Sequence, residues 1–266
     1  MPAMADAQVP VGFEVEGRLA RLTLRRPERL NALDDVTRRA IKAALDDLED
    51  RADVSVLVLA GEGRAFSAGA DLQATSYAPI EGDWAERRHR TGTWQRVLDQ
   101  FGRIPQVTVA ALHGHVIGGA ALLAAGCDLR IAADDTVLRI PELAIGFPLT
   151  WAGVPLLIRE VGLPVARDWV MTCRPVHADE LLRTGFATRL APAADFEDAV
   201  EALLAELLAI PPGPLAMTRA MTAAIGRTTP ALATGWADPD HQHWSFTEDE
   251  YREAARRYIT ARVPRT

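Results

Sequence analysis

The sequence predicts a layered α/β fold followed by a helical C-terminal region. Two apolar runs, residues 54–60 and 107–112, are continuous in buried-type side chains, as expected of parallel strands that are covered on both faces. Each run leads into a turn of small residues and then into sequence with helical character. After about residue 150 the patterns are almost entirely helical, and no fixed-period repeat occurs. The chain therefore mixes strands and helices early and is helical late.

The other elements follow from local patterns. Alternating apolar and polar residues around Gly17 predict a hairpin over residues 13–24. Asp34 is suited to cap a helix that runs to about residue 50, and Thr247 with Glu250 has the form of a capping box that opens the last helix. The remaining predictions are helices over 84–101, 118–127, 151–160, 164–172, 178–184, 195–208 and 214–225, short strands over 128–132 and 137–140, a loop over 73–83, and no assignment for 227–246.

The composition excludes several classes of protein. The chain has 266 residues, 48% of them hydrophobic and 24% charged, which is ordinary for a globular protein. The net charge of −7 leaves no basic stripe to neutralise phosphates, so no nucleic-acid partner is expected. No run of about 18 apolar residues occurs, which predicts no membrane-spanning segment. Two cysteines without a disulfide framework favour a reducing cytoplasm.

Two turns of small residues are the most informative feature. Residues 65–72 read Ala-Phe-Ser-Ala-Gly-Ala-Asp-Leu, and residues 114–120 read Gly-His-Val-Ile-Gly-Gly-Ala. Because few side chains stand in the way, backbone N–H groups of both turns can approach one ligand atom. Donors in such an arrangement stabilise a carbonyl oxygen that gains negative charge during a reaction. The turns therefore predict a two-donor pocket for such an oxygen.

Four motifs taken together resemble the crotonase family, the enoyl-CoA hydratase/isomerase superfamily. They are Arg-Pro-Glu-Arg-Leu-Asn-Ala-Leu at 26–33, the turn at 61–72, the turn at 113–120, and Ile-Pro-Glu-Leu-Ala-Ile-Gly-Phe-Pro at 140–148. The resemblance covers roughly residues 11–225. It implies a crotonase-like spiral of ββα units, which we expect over residues 11–210. It also implies a C-terminal helical region, here 211–266, that makes contacts in a homotrimer or a dimer of trimers.

The resemblance further implies an acyl-CoA thioester as the substrate, with no separate cofactor because coenzyme A is part of that substrate. The family's oxyanion hole corresponds to the backbone N–H groups of Ala70 and Gly119, which lie in the two turns already selected. The substrate-binding residues implied in this way are Arg29, Leu30, Ala68, Asp71 and Leu72 along the pantetheine and adenine path, with Gly69 and Gly118 beside the two donors.

Coenzyme A is strongly anionic, so a net-negative protein needs cations placed locally. The best available set near the two turns is Arg25, Arg26, Arg29 and Arg64. A solvated surface role is the alternative for each of these arginines. Asp71 has the alternative role of complementing the dipole of the helix predicted to follow it. His113 and His115 lack further ligands at a suitable spacing, so no metal is expected.

One departure from the family pattern bears on the reaction. Hydratases of this family use two glutamates; Glu142 matches one, but Leu122 stands three residues after Gly119, where the other is expected. The apolar neighbours of Glu142 should raise its pKa by desolvation. One carboxylate is enough to remove a proton from one carbon and return it to another. The sequence therefore favours isomerisation of a 3-enoyl-CoA to a 2-enoyl-CoA.

Other functions stay open at this point. The chain is a hydratase if a residue such as Glu81, Asp83 or His89 holds the water. It is a non-catalytic acyl-CoA-binding protein if proton transfer has been lost. Hydrolysis or dehalogenation of a thioester would need a nucleophilic carboxylate that the sequence does not locate. Glu142 also has a purely structural alternative, which is an ion pair with Arg139. The length of the acyl group is not determined by the sequence.

Overall fold

The structure is a computed structural model that describes residues 9–72, 82–227 and 238–262. The strands are β1 Val11–Glu16, β2 Leu19–Leu24, β3 Val56–Gly61, β4 Val107–Leu112, β5 His115–Ile117, β6 Leu129–Ala133, β7 Val137–Arg139, β8 Val176–His177 and β9 Arg189–Ala191. The helices are α1 Asp35–Glu49, α2 Trp84–Thr91, α3 Thr93–Phe101, α4 Gly119–Gly126, α5 Glu142–Ile145, α6 Gly153–Thr172, α7 Ala178–Arg183, α8 Phe196–Ala209, α9 Pro212–Arg227, α10 Asp238–Thr247 and α11 Asp249–Arg262.

These strands form two sheets. The larger sheet has the order β1-β2-β3-β4-β6-β9, and the smaller has the order β5-β7-β8. β1 and β2 form the predicted antiparallel hairpin, and each later pair of neighbours in the larger sheet is parallel. Parallel neighbours need crossover connections, which the intervening helices supply. The predicted α/β core is therefore confirmed.

Both faces of the larger sheet are covered, as the continuous apolar runs predict. In β3, Leu57 and Leu59 belong to a core cluster that includes side chains of α1, α3 and α4. Val56 and Val58 belong to a second cluster, which includes side chains of α8. Successive side chains of a strand point to opposite faces of the sheet. The sheet is thus the middle layer between two sets of helices.

Glycines interrupt the helical stretches over 84–101 and 153–172. The single helix predicted over residues 84–101 is wrong, because α2 ends at Thr91 and α3 begins at Thr93, with Gly92 between them. Glycine is a poor helix former since it loses the most backbone entropy. The helices predicted over 151–160 and 164–172 are joined in α6, which is interrupted by non-helical backbone at Gly162 (φ 76°, ψ 161°).

The C-terminal part of the chain is helical. Within the stretch 227–246, for which the sequence predicts no element, Arg227 ends α9 and residues 238–246 belong to α10, which packs against α2. Thr247 ends α10, and α11 begins at Asp249 and packs against α5. The capping box of Thr247 and Glu250 stays a prediction, because the Glu250 side chain lies outside the described residues. The boundary at residue 210 stays a prediction, and most of the loop predicted over 73–83 lies outside the described residues. Among the described helices none alone could cross a membrane, although the bent pair Ala193–Ala209 and Pro212–Gly226 satisfies that test by length and composition.

Candidate functional site

The two turns of small residues lie against each other. A parallel bridge joins Ser67 of the first turn to Val116 of the second. Gly69 has a φ of +78°, and a Cβ on it would collide with Ile117 O and lie 3.6 Å from the Gly119 nitrogen. Glycine is the residue that tolerates both the left-handed backbone and the close approach. The contact between the turns therefore depends on Gly69.

The turns present two backbone donors. Leu33 N donates to Gly69 O (2.8 Å) and Asp71 N donates to Leu33 O (2.9 Å), so the neighbours of Ala70 are paired but its own N–H is not. Gly119 is the first residue of α4, where N–H groups have no partner within the helix. Neither the Ala70 nor the Gly119 N–H donates a hydrogen bond to any residue that the structure describes. Gly119 also lies at the positive end of the α4 dipole.

The carboxylate of Glu142 lies beside the second turn. Glu142 follows Pro141 as the first residue of α5, and it is 7% exposed. A Cβ on Gly118 would lie 2.6 Å from Glu142 Oε1. Within the described ranges Glu142 Oε2 has no hydrogen-bond partner. Burial raises the pKa of the Glu142 carboxyl to about 7, against a smaller lowering by a backbone N–H bond. Near neutral pH this group can both accept and return a proton.

The alternative of an ion pair between Glu142 and Arg139 is wrong. The Arg139 side chain donates from Nε to the carbonyl oxygen of Cys173 at 2.6 Å. No ion pair links Glu142 to any cation in the described part of the chain. The carboxylate is therefore held by packing rather than by a countercharge, which is why desolvation dominates its pKa.

Leu122 occupies a fully apolar position. It is 1% exposed, and its Cδ1 lies 2.8 Å from where a Cβ on Gly153 would be. Leu149 Cγ lies equally close to the same point. Leu122 thus packs against the start of α6, and this part of α4 supplies no acid or base.

Of the three loop candidates for a second acid or base, Asp83 and His89 are described, and each has its contacts on α2 or α3 rather than with Glu142. Asp83 caps α2, since its Oδ1 accepts from Glu86 N (2.9 Å) while Glu86 Oε2 accepts from Asp83 N (3.0 Å). His89 lies exposed on α2, and its backbone oxygen accepts from Arg96 (2.9 Å). Glu81 lies outside the described residues. Glu142 is consequently the one buried carboxyl with a raised pKa that the described residues place at the turns.

The sequence did not predict the role of Trp151. Its indole ring lies against Gly119, where a Cβ would collide with it, and it stacks on Trp94 with ring centroids 4.9 Å apart. Trp151 and Ala152 have φ of +61° and +57°. Left-handed backbone is usually marked by glycine, and neither residue is glycine, so the sequence pattern predicts a helix from residue 151. The only signal in the sequence for this conformation is an isolated tryptophan two residues before Gly153, where α6 begins.

The structure brings together some of the predicted substrate-binding residues. Ala68 N donates to Leu30 O (2.8 Å), which joins the first turn to the preceding segment. Asp71 is buried, and its carboxylate accepts from Arg26 Nη2 and Arg29 Nη2, both at 3.0 Å. Ion pairing therefore accounts for the Asp71 carboxylate, while the helix predicted to follow it lies outside the described residues.

The four arginines near the turns have different environments. Arg25 pairs with Glu14 (2.8 Å) and Glu62 (2.9 Å), and Arg26 pairs with Asp34 as well as Asp71. Arg29 shares Asp71 with Arg26 but its side chain is 39% exposed. Arg64 is exposed and lines a separate cavity of about 710 Å³ under α8. Arg29 is therefore the cation of this set that lies at the turns and reaches solvent.

The two histidines have no metal-site geometry. His113 Nε2 donates to Gly63 O (3.0 Å), and His115 is exposed on β5. Over the described ranges, no group of three or more His, Cys, Asp or Glu side chains could hold a metal ion. Metal ligation generally needs three or four such ligands, so neither histidine is assigned a role at the site.

A family profile and a curated relative both place this chain among the same group of proteins. The profile described as enoyl-CoA hydratase/isomerase matches residues 14–265. A putative enoyl-CoA hydratase from Thermus thermophilus is 32% identical over 257 residues, which cover 94% of this chain and 98% of that protein.

Solved structures agree with the predicted fold. The crystal structure of an enoyl-CoA hydratase from Mycobacterium avium subsp. paratuberculosis has a TM-score of 0.85 at 22% identity, covering 97% of this chain and 98% of that one. A putative enoyl-CoA hydratase from Thermobifida fusca, solved in complex with acetoacetyl-CoA, has a TM-score of 0.74 at 27% identity, with coverage of 95% and 96%. The crotonase-like fold is therefore confirmed.

Proposed function

The chain belongs to the enoyl-CoA hydratase/isomerase family, and on that premise we propose that it converts a 3-enoyl-CoA to a 2-enoyl-CoA. The thioester oxygen is bound by the N–H groups of Ala70 and Gly119. Glu142 carries the proton. Coenzyme A arrives with the substrate, and no separate cofactor is required.

The chemistry follows from the charge that develops on the thioester. The Glu142 carboxylate takes a proton from the carbon next to the carbonyl, and the electron pair forms a dienolate with its charge on the thioester oxygen. The two N–H donors and the dipole of α4 stabilise that oxygen. The neutral Glu142 acid then returns the proton to the γ carbon, the double bond moves to the α,β position, and the carbonyl re-forms. One donor of this kind is worth about 3 kcal/mol in other enzymes.

One observation carries the proposal: Glu142, a buried carboxyl with a pKa of about 7, lies beside the N–H groups of Ala70 and Gly119, which donate to no described residue. Leu122, which is buried and apolar, supplies no second proton carrier. Syn addition of water needs one group to activate the water and another to protonate the α carbon, whereas a proton shuttle needs one group.

The alternative is a hydratase, which is the activity printed in the names of the relatives. Hydration by this chain would require a second acid or base from residues such as Glu81. A chain that keeps the two donors but has lost proton transfer would instead be an acyl-CoA-binding protein. These three functions differ in their products, so one assay separates them.

The test is turnover of 3-hexenoyl-CoA and of 2-hexenoyl-CoA, with products resolved by chromatography. We expect 2-hexenoyl-CoA from the first substrate and at most slow formation of 3-hydroxyhexanoyl-CoA from the second. Glu142→Gln keeps the size of the side chain but cannot act as a base, so isomerisation should fall by at least about 100-fold. Undiminished isomerisation by that variant, or hydration faster than isomerisation, would contradict the proposal.

We also propose that the chain forms a trimer or a dimer of trimers. Met217, Met221 and Ile225 lie four residues apart on α9 and are 69%, 69% and 71% exposed. Residues with this spacing form a stripe on one face of a helix, and an apolar stripe at this exposure fits a subunit contact. Light scattering on the wild type and on Met221→Glu tests this, since the charged variant should dissociate. A monomeric wild type would overturn it.

A further inference from the structure

Trp151 is a strained bulky residue beside the Gly119 donor, and the proposed proton transfer does not use it. Its φ is +61°, and that of Ala152 is +57°. A bulky side chain on left-handed backbone is a genuine outlier. Such strain persists only where the surrounding structure enforces it, and it concentrates at active sites and ligand clamps. The conformation therefore requires an explanation beyond filling space.

The Glu142 carboxylate lies against Gly118, and the Trp151 indole lies against the next residue, Gly119. A Cβ on Gly118 would meet Glu142 Oε1 at 2.6 Å, and a Cβ on Gly119 would collide with Cζ3 of Trp151. The Gly119 N–H belongs to the peptide group that joins these two glycines. The proposed oxyanion donor thus lies between the proton carrier and the indole.

Other apolar side chains surround the Trp151 indole. Trp94 of α3 stacks on Trp151 with an interplanar angle of 16°, and both rings are 9% exposed. Offset-stacked aromatic pairs are favourable beyond the area that they bury. Leu122 lies on the next turn of α4 and is fully buried. Together these side chains form a rigid apolar wall beside the donors.

The first residues of α10 contact the backbone beside each of the two tryptophans. Asp238 Oδ2 accepts from Ala152 N at 2.7 Å, directly after Trp151. Pro239 Cγ lies 3.4 Å from where a Cβ on Gly92 would be, two residues before Trp94. A charge-assisted hydrogen bond of this kind is stronger than a neutral one. The wall is therefore fixed from the C-terminal part of the chain.

We propose that the Trp94–Trp151 pair ends the acyl site, so that the enzyme selects short-chain acyl-CoA thioesters, with Trp151 as the specificity residue and Asp238 as its positioning residue. The inference rests on the proposed function, because a wall selects only among acyl groups that bind. In this proposal the thioester oxygen lies at the two donors, the reacting carbons face Glu142, and the rest of the acyl chain runs towards the indole that packs against Gly119. The stacked, clamped ring does not yield to a longer chain.

The test compares kcat/KM for 3-hexenoyl-CoA and 3-decenoyl-CoA, together with calorimetric binding of butyryl-CoA and decanoyl-CoA. The wild type should prefer the shorter member of each pair. Trp151→Ala should raise the decenoyl-to-hexenoyl ratio at least about tenfold, since each methylene newly accommodated is worth about fourfold. The matched control is Trp84→Ala, which removes an exposed tryptophan from α2 and should leave the ratio unchanged.

Asp238 is tested through the same ratio. Asp238→Ala should move the ratio towards decenoyl-CoA, because Ala152 N loses its acceptor and the ring is released. Asp238→Asn keeps an acceptor oxygen and should restore most of the wild-type ratio. A merely structural role would lower the melting temperature of both variants without changing the ratio, and that result would remove Asp238 from the proposal.

The outcomes separate this inference from the proposed function. A folded Trp151→Ala enzyme with an unchanged chain-length ratio, or a wild type that prefers decenoyl-CoA, overturns the inference while leaving the isomerase intact. If no enoyl-CoA is isomerised but Trp151→Ala gains affinity for decanoyl-CoA over butyryl-CoA, the inference stands and the isomerase fails. If no enoyl-CoA is isomerised and neither saturated thioester binds, both fail. Should Trp151→Ala not fold, Trp151→Leu and Trp94→Ala are measured in the same way.

Discussion

Replacing Glu142 by Gln should stabilise the protein at alkaline pH while it removes activity. The pKa of this carboxyl is raised from its usual 4.5 to about 7 by burial. Between these values the folded state holds a proton that the unfolded state has released, so the free energy of unfolding falls as the pH rises through this range. From pH 5 to pH 8 the loss is about 2 kcal/mol at 1.36 kcal/mol per pKa unit. Glu142→Gln does not titrate and escapes this loss.

The assay is thermal or denaturant unfolding of both proteins at pH 5 and pH 8. Relative to the wild type, the variant should gain about 2 kcal/mol between the two values, or about 4–8 °C in melting temperature for a chain of this size. The free-energy cost of burying the amide of the Glu142→Gln variant does not depend on pH. It therefore cancels when the stability of the variant relative to the wild type is compared between pH 5 and pH 8. Glu49→Gln, which removes an exposed carboxyl from α1, controls for the substitution itself. An equal stability difference at both pH values would refute the account of Glu142 as a desolvated carboxyl.

Three further predictions concern the same site. Because the base must be ionised, kcat/KM for isomerisation should fall about tenfold per pH unit below about pH 7, and a flat profile down to pH 5 would exclude Glu142 as the base. Gly69→Ala should lower kcat about 100-fold, as loss of one oxyanion donor does, because the new Cβ collides with Ile117 O; wild-type kcat would show that the turns need not touch. Leu122→Ala should cost about 2–5 kcal/mol in denaturant unfolding and leave the pH profile in place, whereas a changed profile would give Leu122 a part in proton transfer.

The contact between the two turns could be predicted from the sequence because small residues mark both turns. Gly69 and Gly119 stand where any side chain would collide with the opposite turn or with an indole ring, and a requirement that strict is visible as glycine. The burial of Glu142 is predictable for a similar reason, since its neighbours along the chain are apolar. What the sequence could not supply is the direction of Arg139, whose guanidinium bonds Cys173 O rather than the nearby glutamate. That choice depends on contacts distant in the chain.

The features that the sequence missed are those in which tertiary contacts override local preference. Trp151 and Ala152 adopt left-handed backbone without being glycine, and the groups that hold them, Trp94 and Asp238, are distant in sequence. The helix over 84–101 failed for the opposite reason. There the apolar periodicity on either side of Gly92 predicts one continuous helix, whereas in the structure the helix breaks at this glycine.

The most direct test of Glu142 as the proton carrier is proton exchange at the bound thioester. Wild type and Glu142→Gln are incubated with 3-hexenoyl-CoA in deuterated water, and deuterium at the α and γ carbons is followed by NMR. We expect the wild type to form 2-hexenoyl-CoA, with deuterium entering at the γ carbon to the extent that Glu142 exchanges with solvent. We expect the variant to bind without product or exchange. Binding by the wild type without any exchange or product, or equal turnover by the variant, would contradict it.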